Sequence, residues 1–125
     1  MSALLFALAA ALPSLAGDFD GDGKADQARL EPRGGAHVLV VERGAEPGKP
    51  QTVTLVADAG NFFIAAQPPG TYPTTCAKDV GAPCAADEPR QVELKAPTLS
   101  FGTEEASLAV AVWTGDRFAV TWLND

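Results

Sequence analysis

The sequence predicts an all-β protein, a small and mostly antiparallel sandwich or meander of about seven to eight short strands. Three observations predict this class. Short apolar runs alternate with turn residues at the spacing of about 8–12 residues that is typical of sandwiches and partial barrels. After residue 16, no stretch sustains the 3.6-residue period of an amphipathic helix. Gly115 and Asp116 have the pattern of a two-residue hairpin loop between two alternating apolar runs.

Eight segments have the apolar, β-branched and aromatic composition of strands. Glycine and proline separate them, as at 47–50 and 68–70. In the last segment Phe118, Val120 and Trp122 share one face, which we predict to belong to the core. The predicted strands are 27–30, 36–42, 52–57, 61–65, 91–94, 98–101, 107–114 and 117–123.

The charge of the chain excludes two classes of function. Its 125 residues contain 16 Asp and Glu against 9 Lys and Arg, a net charge of −7. Binding to nucleic acid or to an anionic membrane surface requires clustered positive charge, so neither is expected. The length suits a single domain.

The first sixteen residues contain no charged side chain and end in Ser14-Leu15-Ala16. Ser14 and Ala16 are small residues at positions −3 and −1 relative to the bond before Gly17. This is the pattern of a secretory signal peptide. The apolar run is too short to span a membrane, which takes about 20 residues. A buried helix of the folded domain is the alternative, although a surface helix would carry a polar stripe. We predict a signal peptide over 1–16 cleaved before Gly17, a β domain over 17–125, and export to the periplasm or the medium.

The cysteine content agrees with export. Cys76 and Cys84 are the only two cysteines, in a segment with no secondary-structure periodicity. In an oxidising compartment they would form a disulfide that closes a short loop. The alternative is that both cysteines are metal ligands. A structural zinc site needs four ligands, whereas this chain has two cysteines and a single histidine that is distant in the sequence. The disulfide is the preferred prediction.

An acidic loop follows the predicted cleavage site. Carboxylates stand at positions 1, 3, 5 and 9, and Gly23 stands at position 6, where the backbone needs a conformation that a Cβ disfavours. Ca²⁺ needs six to eight oxygen ligands, and alternate side chains of a tight loop point to one centre. Lys24, at position 7, would contribute its backbone carbonyl. A solvated Asp/Gly turn is the alternative. The predicted carboxylate ligands are Asp18, Asp20, Asp22 and Asp26.

The loop is not an EF-hand, because position 12 is Arg29 where that motif needs a bidentate Glu. It resembles the calcium loop of FG-GAP and VCBS-type repeats, whose pattern DxDGDGxxD matches 18–26. The resemblance implies that the four aspartates bind Ca²⁺. One copy in so short a chain cannot build a propeller with blades of about 40–50 residues.

The whole chain is also similar to small exported bacterial proteins of unknown function. They share this loop, a PGTY segment followed by two cysteines, here 69–84, and a final Trp-x-Gly-x-x-Phe hairpin, here 113–118. That similarity implies no particular activity.

No catalytic motif is present, and we expect no enzymatic activity. The single histidine, His37, lies within a predicted strand, where it is expected to be a strand-face residue. The acid pairs at 87–88 and 104–105 lie in polar, loop-like sequence and are expected to be solvated. A cell-wall or glycan hydrolase that uses two carboxylates is the less favoured alternative.

The segment 67–90 is rich in Pro, Gly, Thr and Ala, and we predict a long loop held by the disulfide. Two functions follow. The first is an exported Ca²⁺-binding domain with a structural metal and another envelope or extracellular protein as partner. The second is a periplasmic inhibitor or ligand-binding protein that uses this loop, with Tyr72 and Lys78 as contact residues.

Overall fold

The computed structural model describes residues 12–78 and 84–124. These residues form ten β-strands, a 3₁₀ turn at Ala59–Asn61 and a four-residue helix, α1 (Thr75–Lys78). In these two ranges, no helix is long and apolar enough to cross a membrane. The strands are β1 (Ser14–Gly17), β2 (Asp26–Arg33), β3 (Ala36–Glu42), β4 (Gln51–Val56), β5 (Phe62–Gln67), β6 (Gly70–Pro73), β7 (Gln91–Leu94), β8 (Thr98–Thr103), β9 (Leu108–Trp113) and β10 (Phe118–Asn124).

The strands form two four-stranded sheets and a separate hairpin. The first sheet has the order β1-β2-β3-β4, the second has the order β10-β9-β8-β5, and β6 pairs with β7. Every strand pair is antiparallel. Contacts between β1 and β5 and between β4 and β10 bring the two sheets together at both edges. The predicted all-β, mostly antiparallel class is therefore confirmed.

The main core lies between the two four-stranded sheets. Alternate residues of β2 and β3, including Leu30 and Leu39, face Phe101 and Ala111 of the second sheet, and all four are buried. This follows from the two-residue period of a strand, which places every second side chain on one face. Burial of a large apolar side chain contributes about 1.5–3 kcal/mol.

A smaller cluster lies on the outer face of the second sheet. Val110 points away from the main core because its neighbours in β9 point into it. It packs with Leu94 and Leu123, and Tyr72 and Val92 of the β6–β7 hairpin cover the group. The hairpin is thus attached to the outside of the sandwich by apolar contacts.

Strand β4 contains an irregularity in its pairing with β3. Leu39 pairs with Thr54 but Val40 pairs with Thr52, so Val53 has no partner in the ladder. An extra residue of this kind is a β-bulge, and it changes which face the following side chains reach. As a result, Val53 and Val56 both pack against the main core although they are three residues apart.

All eight predicted strands occur in the structure, two of them (β3 and β7) with the predicted bounds. Two strands were not predicted. One is β6, in the segment 67–90 that was predicted to be a long loop. That prediction needs correction, because β6 pairs with β7 over four residues and α1 follows it.

The other strand that was not predicted is β1, in the segment assigned to the signal peptide. It pairs with β2 over four residues, and Leu15 packs against the main core. The predicted cleavage point before Gly17 falls inside β1, and cleavage there would remove three of its four residues. The remainder of the predicted signal peptide, 1–11, lies outside the described residues.

Candidate metal centre

The acidic loop connects β1 to β2 and includes residues 18–25. Gly21 and Gly23 have φ values of +77° and +87°, in the left-handed region that side chains with a Cβ disfavour. Phe19, in the same loop, is buried in the main core. The loop therefore turns sharply at its two glycines while one side chain fixes it to the body of the domain.

The carboxylate of Asp18 organises the turn through backbone hydrogen bonds. Its Oδ1 accepts bonds from the N–H groups of Gly21 (2.9 Å) and Asp22 (3.2 Å), and its Oδ2 accepts one from Gly23 (2.9 Å). The Asp20 and Asp22 carboxylates each accept an N–H bond from the residue two positions later. The loop is thus folded by its own aspartates.

Three of the four predicted carboxylate ligands come together. Asp18, Asp20 and Asp22 each offer one carboxylate oxygen, and these atoms lie within 4.8 Å of one another. Within the part of the chain that the structure describes, this is the one group of three or more acidic, histidine or cysteine side chains with metal-binding proximity. Lys24 is exposed, and its N–H donates to Asp22 Oδ1 at 2.8 Å.

Asp26 does not join this group. It is 2% exposed, and its two oxygens accept three backbone hydrogen bonds, from the N–H groups of Phe19 (2.7 Å), Asp20 (3.2 Å) and Gly44 (2.9 Å). A buried carboxylate is stable only with such partners. Asp26 therefore joins both ends of the acidic loop to the turn after β3. Gly44 is required there because a Cβ would collide with the carbonyl oxygen of Ala25.

Arg43 is a residue of this site that the sequence did not indicate. Its Nε lies 2.7 Å from Asp20 Oδ2, in a pair whose side chains are 15% and 1% exposed, respectively. Its Nη1 lies 3.0 Å from Glu46 Oε1, and its guanidinium carbon lies 4.1 Å from the centre of the Trp113 ring. Arg43 thus connects the acidic loop with β9 of the second sheet.

The ion pair determines the ionisation of Asp20. Burial of this carboxyl opposes its ionisation, but hydrogen bonds from Arg43 and from the Asp22 N–H outweigh burial and hold its pKa below the ordinary value of 3.8. The same hydrogen bond raises the pKa of Arg43. Asp20 and Arg43 are therefore both charged at neutral pH.

The predicted disulfide is present between Cys76 and Cys84, and residues 79–83 within its loop lie outside the described ranges. Tyr72, predicted as a contact residue, is partly buried, and its hydroxyl donates to the carbonyl of Pro68 at 2.7 Å. Lys78, the second predicted contact residue, is exposed at the end of α1. The two residues differ in accessibility, and the structure gives Tyr72 a packing role.

An apolar cleft of about 160 Å³ lies where β4 approaches β10. Leu55 and Trp122 line it with exposures of 78% and 40%, beside Phe62 and Phe101. Phe118 is buried in the core as predicted, whereas Trp122 at the other end of the strand is partly open to solvent. The cleft is the place on the described surface where two exposed large apolar side chains meet.

Comparison with models of protein families, with curated proteins and with solved structures gave no match for this chain. The similarity of the acidic loop to FG-GAP and VCBS-type loops therefore stays a prediction from the sequence.

Proposed function

We propose that this chain is an exported calcium-binding β domain, in which the metal is structural and the surface meets another protein of the envelope or the medium. The observation that carries the proposal is the convergence of the Asp18, Asp20 and Asp22 carboxylates in one ordered loop. Three like charges at such proximity repel one another, and a divalent cation between them would convert this repulsion into attraction.

A donor set made of carboxylate oxygens is compatible with Ca²⁺. Ca²⁺ prefers oxygen ligands at about 2.3–2.6 Å, so oxygens on opposite sides of the ion lie up to about 5 Å apart. The three carboxylate oxygens lie within 4.8 Å of one another, a separation that a Ca²⁺ shell accommodates. The three aspartates would hold the ion, and the Lys24 carbonyl and water would supply further ligands.

A structural role follows from what the loop joins. It connects β1 to β2, places Phe19 in the core, and contacts the turn after β3 through Asp26 and Arg43. An ion that orders this loop would stabilise the first sheet at two of its strand connections. For a domain of this size, a metal and a disulfide are common supplements to a modest core.

Three observations support export and a protein partner. The Cys76–Cys84 disulfide is typical of oxidising compartments, and the apolar sequence of 1–16 has the pattern of a secretory signal. Exposed apolar residues that cluster on a surface are typical of interaction sites, and Leu55 and Trp122 form such a cluster.

The calcium proposal is tested by thermal unfolding in EDTA and in excess Ca²⁺. We expect Ca²⁺ to raise the melting temperature, since an ion that binds only the folded state adds about 2.7 kcal/mol when its free concentration is 100 times Kd. Asp22→Asn should abolish most of this rise because it removes one charged ligand. Isothermal titration should show binding to the unsubstituted chain with one ion per molecule.

Two further variants serve as controls. Asp87→Asn removes an exposed acid outside the loop and should leave the Ca²⁺-dependent rise intact. Asp26→Asn should lower stability to a similar extent in EDTA and in Ca²⁺, because it weakens backbone hydrogen bonds present in both states. Identical melting curves in EDTA and Ca²⁺, together with no heat of binding, would refute the proposal and leave a solvated Asp/Gly turn.

A further inference from the structure

The cation that the structure already places on the acidic loop is Arg43. Its Nε is 2.7 Å from Asp20 Oδ2, and among the ion pairs of the described residues this is the one that reaches the group of three aspartates. The Asp20 side chain is 1% exposed, so its charge is poorly stabilised by water and depends on this partner. Arg43 is therefore a fixed countercharge inside the region where a metal would bind.

Arg43 is itself held in place from two other sides. The face of its guanidinium lies 4.1 Å from the centre of the Trp113 ring, an arrangement in which the ring attracts the cation. Glu46 accepts a hydrogen bond from Nη1 at 3.0 Å. The next residue, Gly44, donates its N–H to Asp26 at 2.9 Å. These contacts hold the guanidinium beside Asp20.

We propose that Arg43 is a resident cation that keeps the acidic loop folded without metal and that weakens the binding of Ca²⁺ to the same loop. The proposal rests on the proposed function of the loop as a calcium site. Arg43 already neutralises part of the aspartate charge. Binding of Ca²⁺ therefore adds less to the stability of the folded state. Two cations on one carboxylate repel each other, and by linkage Ca²⁺ would weaken the Arg43–Asp20 pair as much as that pair weakens Ca²⁺ binding.

The two oxygens of Asp20 make this arrangement possible. Arg43 occupies Oδ2, while Oδ1 accepts a single hydrogen bond, from the Asp22 N–H at 3.2 Å. A carboxylate oxygen has two lone pairs, so Oδ1 keeps the capacity for a metal. Arg43 and Ca²⁺ would therefore occupy Asp20 together, and the effect of Arg43 on Ca²⁺ is electrostatic repulsion rather than steric exclusion.

The test separates the charge of Arg43 from its hydrogen bond. Arg43→Gln removes the charge and keeps an N–H donor for Asp20, whereas Arg43→Lys keeps the charge. In EDTA, we expect the Gln variant to melt at a lower temperature than the Lys variant and the unsubstituted chain. In titrations with Ca²⁺, the Gln variant should bind on the order of tenfold more tightly, and the Lys variant should stay close to the unsubstituted chain.

Arg33→Gln is the matched control, because it removes the same charge from an exposed arginine whose side chain hydrogen-bonds Thr52 of β4. It should leave Ca²⁺ affinity within about twofold. Weaker Ca²⁺ binding by Arg43→Gln would overturn the proposal, since it would make Arg43 a residue that positions Asp20 for the metal. If neither the unsubstituted chain nor Arg43→Gln responds to Ca²⁺, the calcium function itself is refuted. A Ca²⁺ response that is equal in both refutes only the role of Arg43.

Discussion

At the scale of single residues, the aspartates of the acidic motif have different roles, although they are the same residue type in one short sequence pattern. Asp26 is buried and has three backbone N–H partners, so it serves as an anchor of the fold. Asp22 is exposed and accepts one backbone N–H, which leaves it available to an ion. Asp20 lies between these cases, with one oxygen bound to Arg43. The number of partners, rather than the residue type, decides the role.

The lowered pKa of Asp20 predicts how its contribution depends on pH. The unfolded chain takes up this proton near pH 3.8, and the folded chain takes it up only at lower pH. The stabilisation is therefore complete above 3.8 and is lost as the pH falls through the lower pKa of the folded state. We expect the difference in unfolding free energy between the unsubstituted chain and Asp20→Asn, measured in EDTA, to shrink below pH 3.8. A difference that stays constant down to pH 2 would contradict the ion pair.

The residues of the site that the sequence could predict are those with a local pattern. Carboxylates at alternate positions and a glycine at position 6 identify Asp18, Asp20 and Asp22 without knowledge of the fold. Arg43 and Trp113 have no such pattern, because strand pairing and sheet packing bring them to the loop. The pairing of Gln27 with Glu42 places Arg43 near the start of β2, and that register is known only from the structure.

At the scale of elements, strands with a clear composition were predictable and strands in atypical sequence were not. β6 has the sequence Gly-Thr-Tyr-Pro, and both glycine and proline are depleted in strands. It is a strand because β7 pairs with it and because Tyr72 packs on the outer cluster. β1 has a sequence that also fits a signal peptide, and its pairing with β2 is not apparent from that sequence.

The role of β1 is tested with chains that begin at different residues. A chain that begins at Gly17 lacks the partner of the β2 edge and the Leu15 side chain that packs on the core. We expect it to be less stable than a chain that begins at Leu12 by about 1–3 kcal/mol. Urea unfolding of the two chains measures this difference, and a chain that begins at Ser14 serves as control. Equal stability of all three would show that β1 is dispensable and that cleavage before Gly17 has no structural cost.

At the scale of the whole molecule, the chain is a sandwich with a hairpin on its outer face and two local supplements at different places. The acidic loop lies at the β1–β2 connection, and the disulfide lies in the segment between β6 and β7. The helix that carries Cys76 contacts β10 of the second sheet. The two supplements therefore lie at different strand connections of the sandwich.

This separation predicts independent effects. Replacement of both cysteines, Cys76→Ser with Cys84→Ser, should lower the unfolding free energy by about 2.5 kcal/mol, the loop-closure value for a loop of about nine residues. The rise in melting temperature on addition of Ca²⁺ should be the same as in the disulfide-bonded chain, since sites that share no hydrogen-bond or ion-pair partner usually add. Thermal unfolding of both forms in EDTA and in Ca²⁺ measures the two effects. A smaller Ca²⁺-dependent rise in the serine variant would contradict this independence and show that the acidic loop and the disulfide are energetically coupled.

The bulge in β4 has a consequence for how separate copies of the chain meet. β4 is an edge strand with the uncharged sequence Gln-Thr-Val-Thr-Leu-Val, the composition that favours strand-to-strand aggregation. Regular pairing with another chain needs outward-facing N–H and C=O groups on every second residue along the edge. The extra residue, Val53, breaks that spacing in the middle of the strand. The same bulge that brings a second valine into the core thus interrupts the template on which an aggregate would grow.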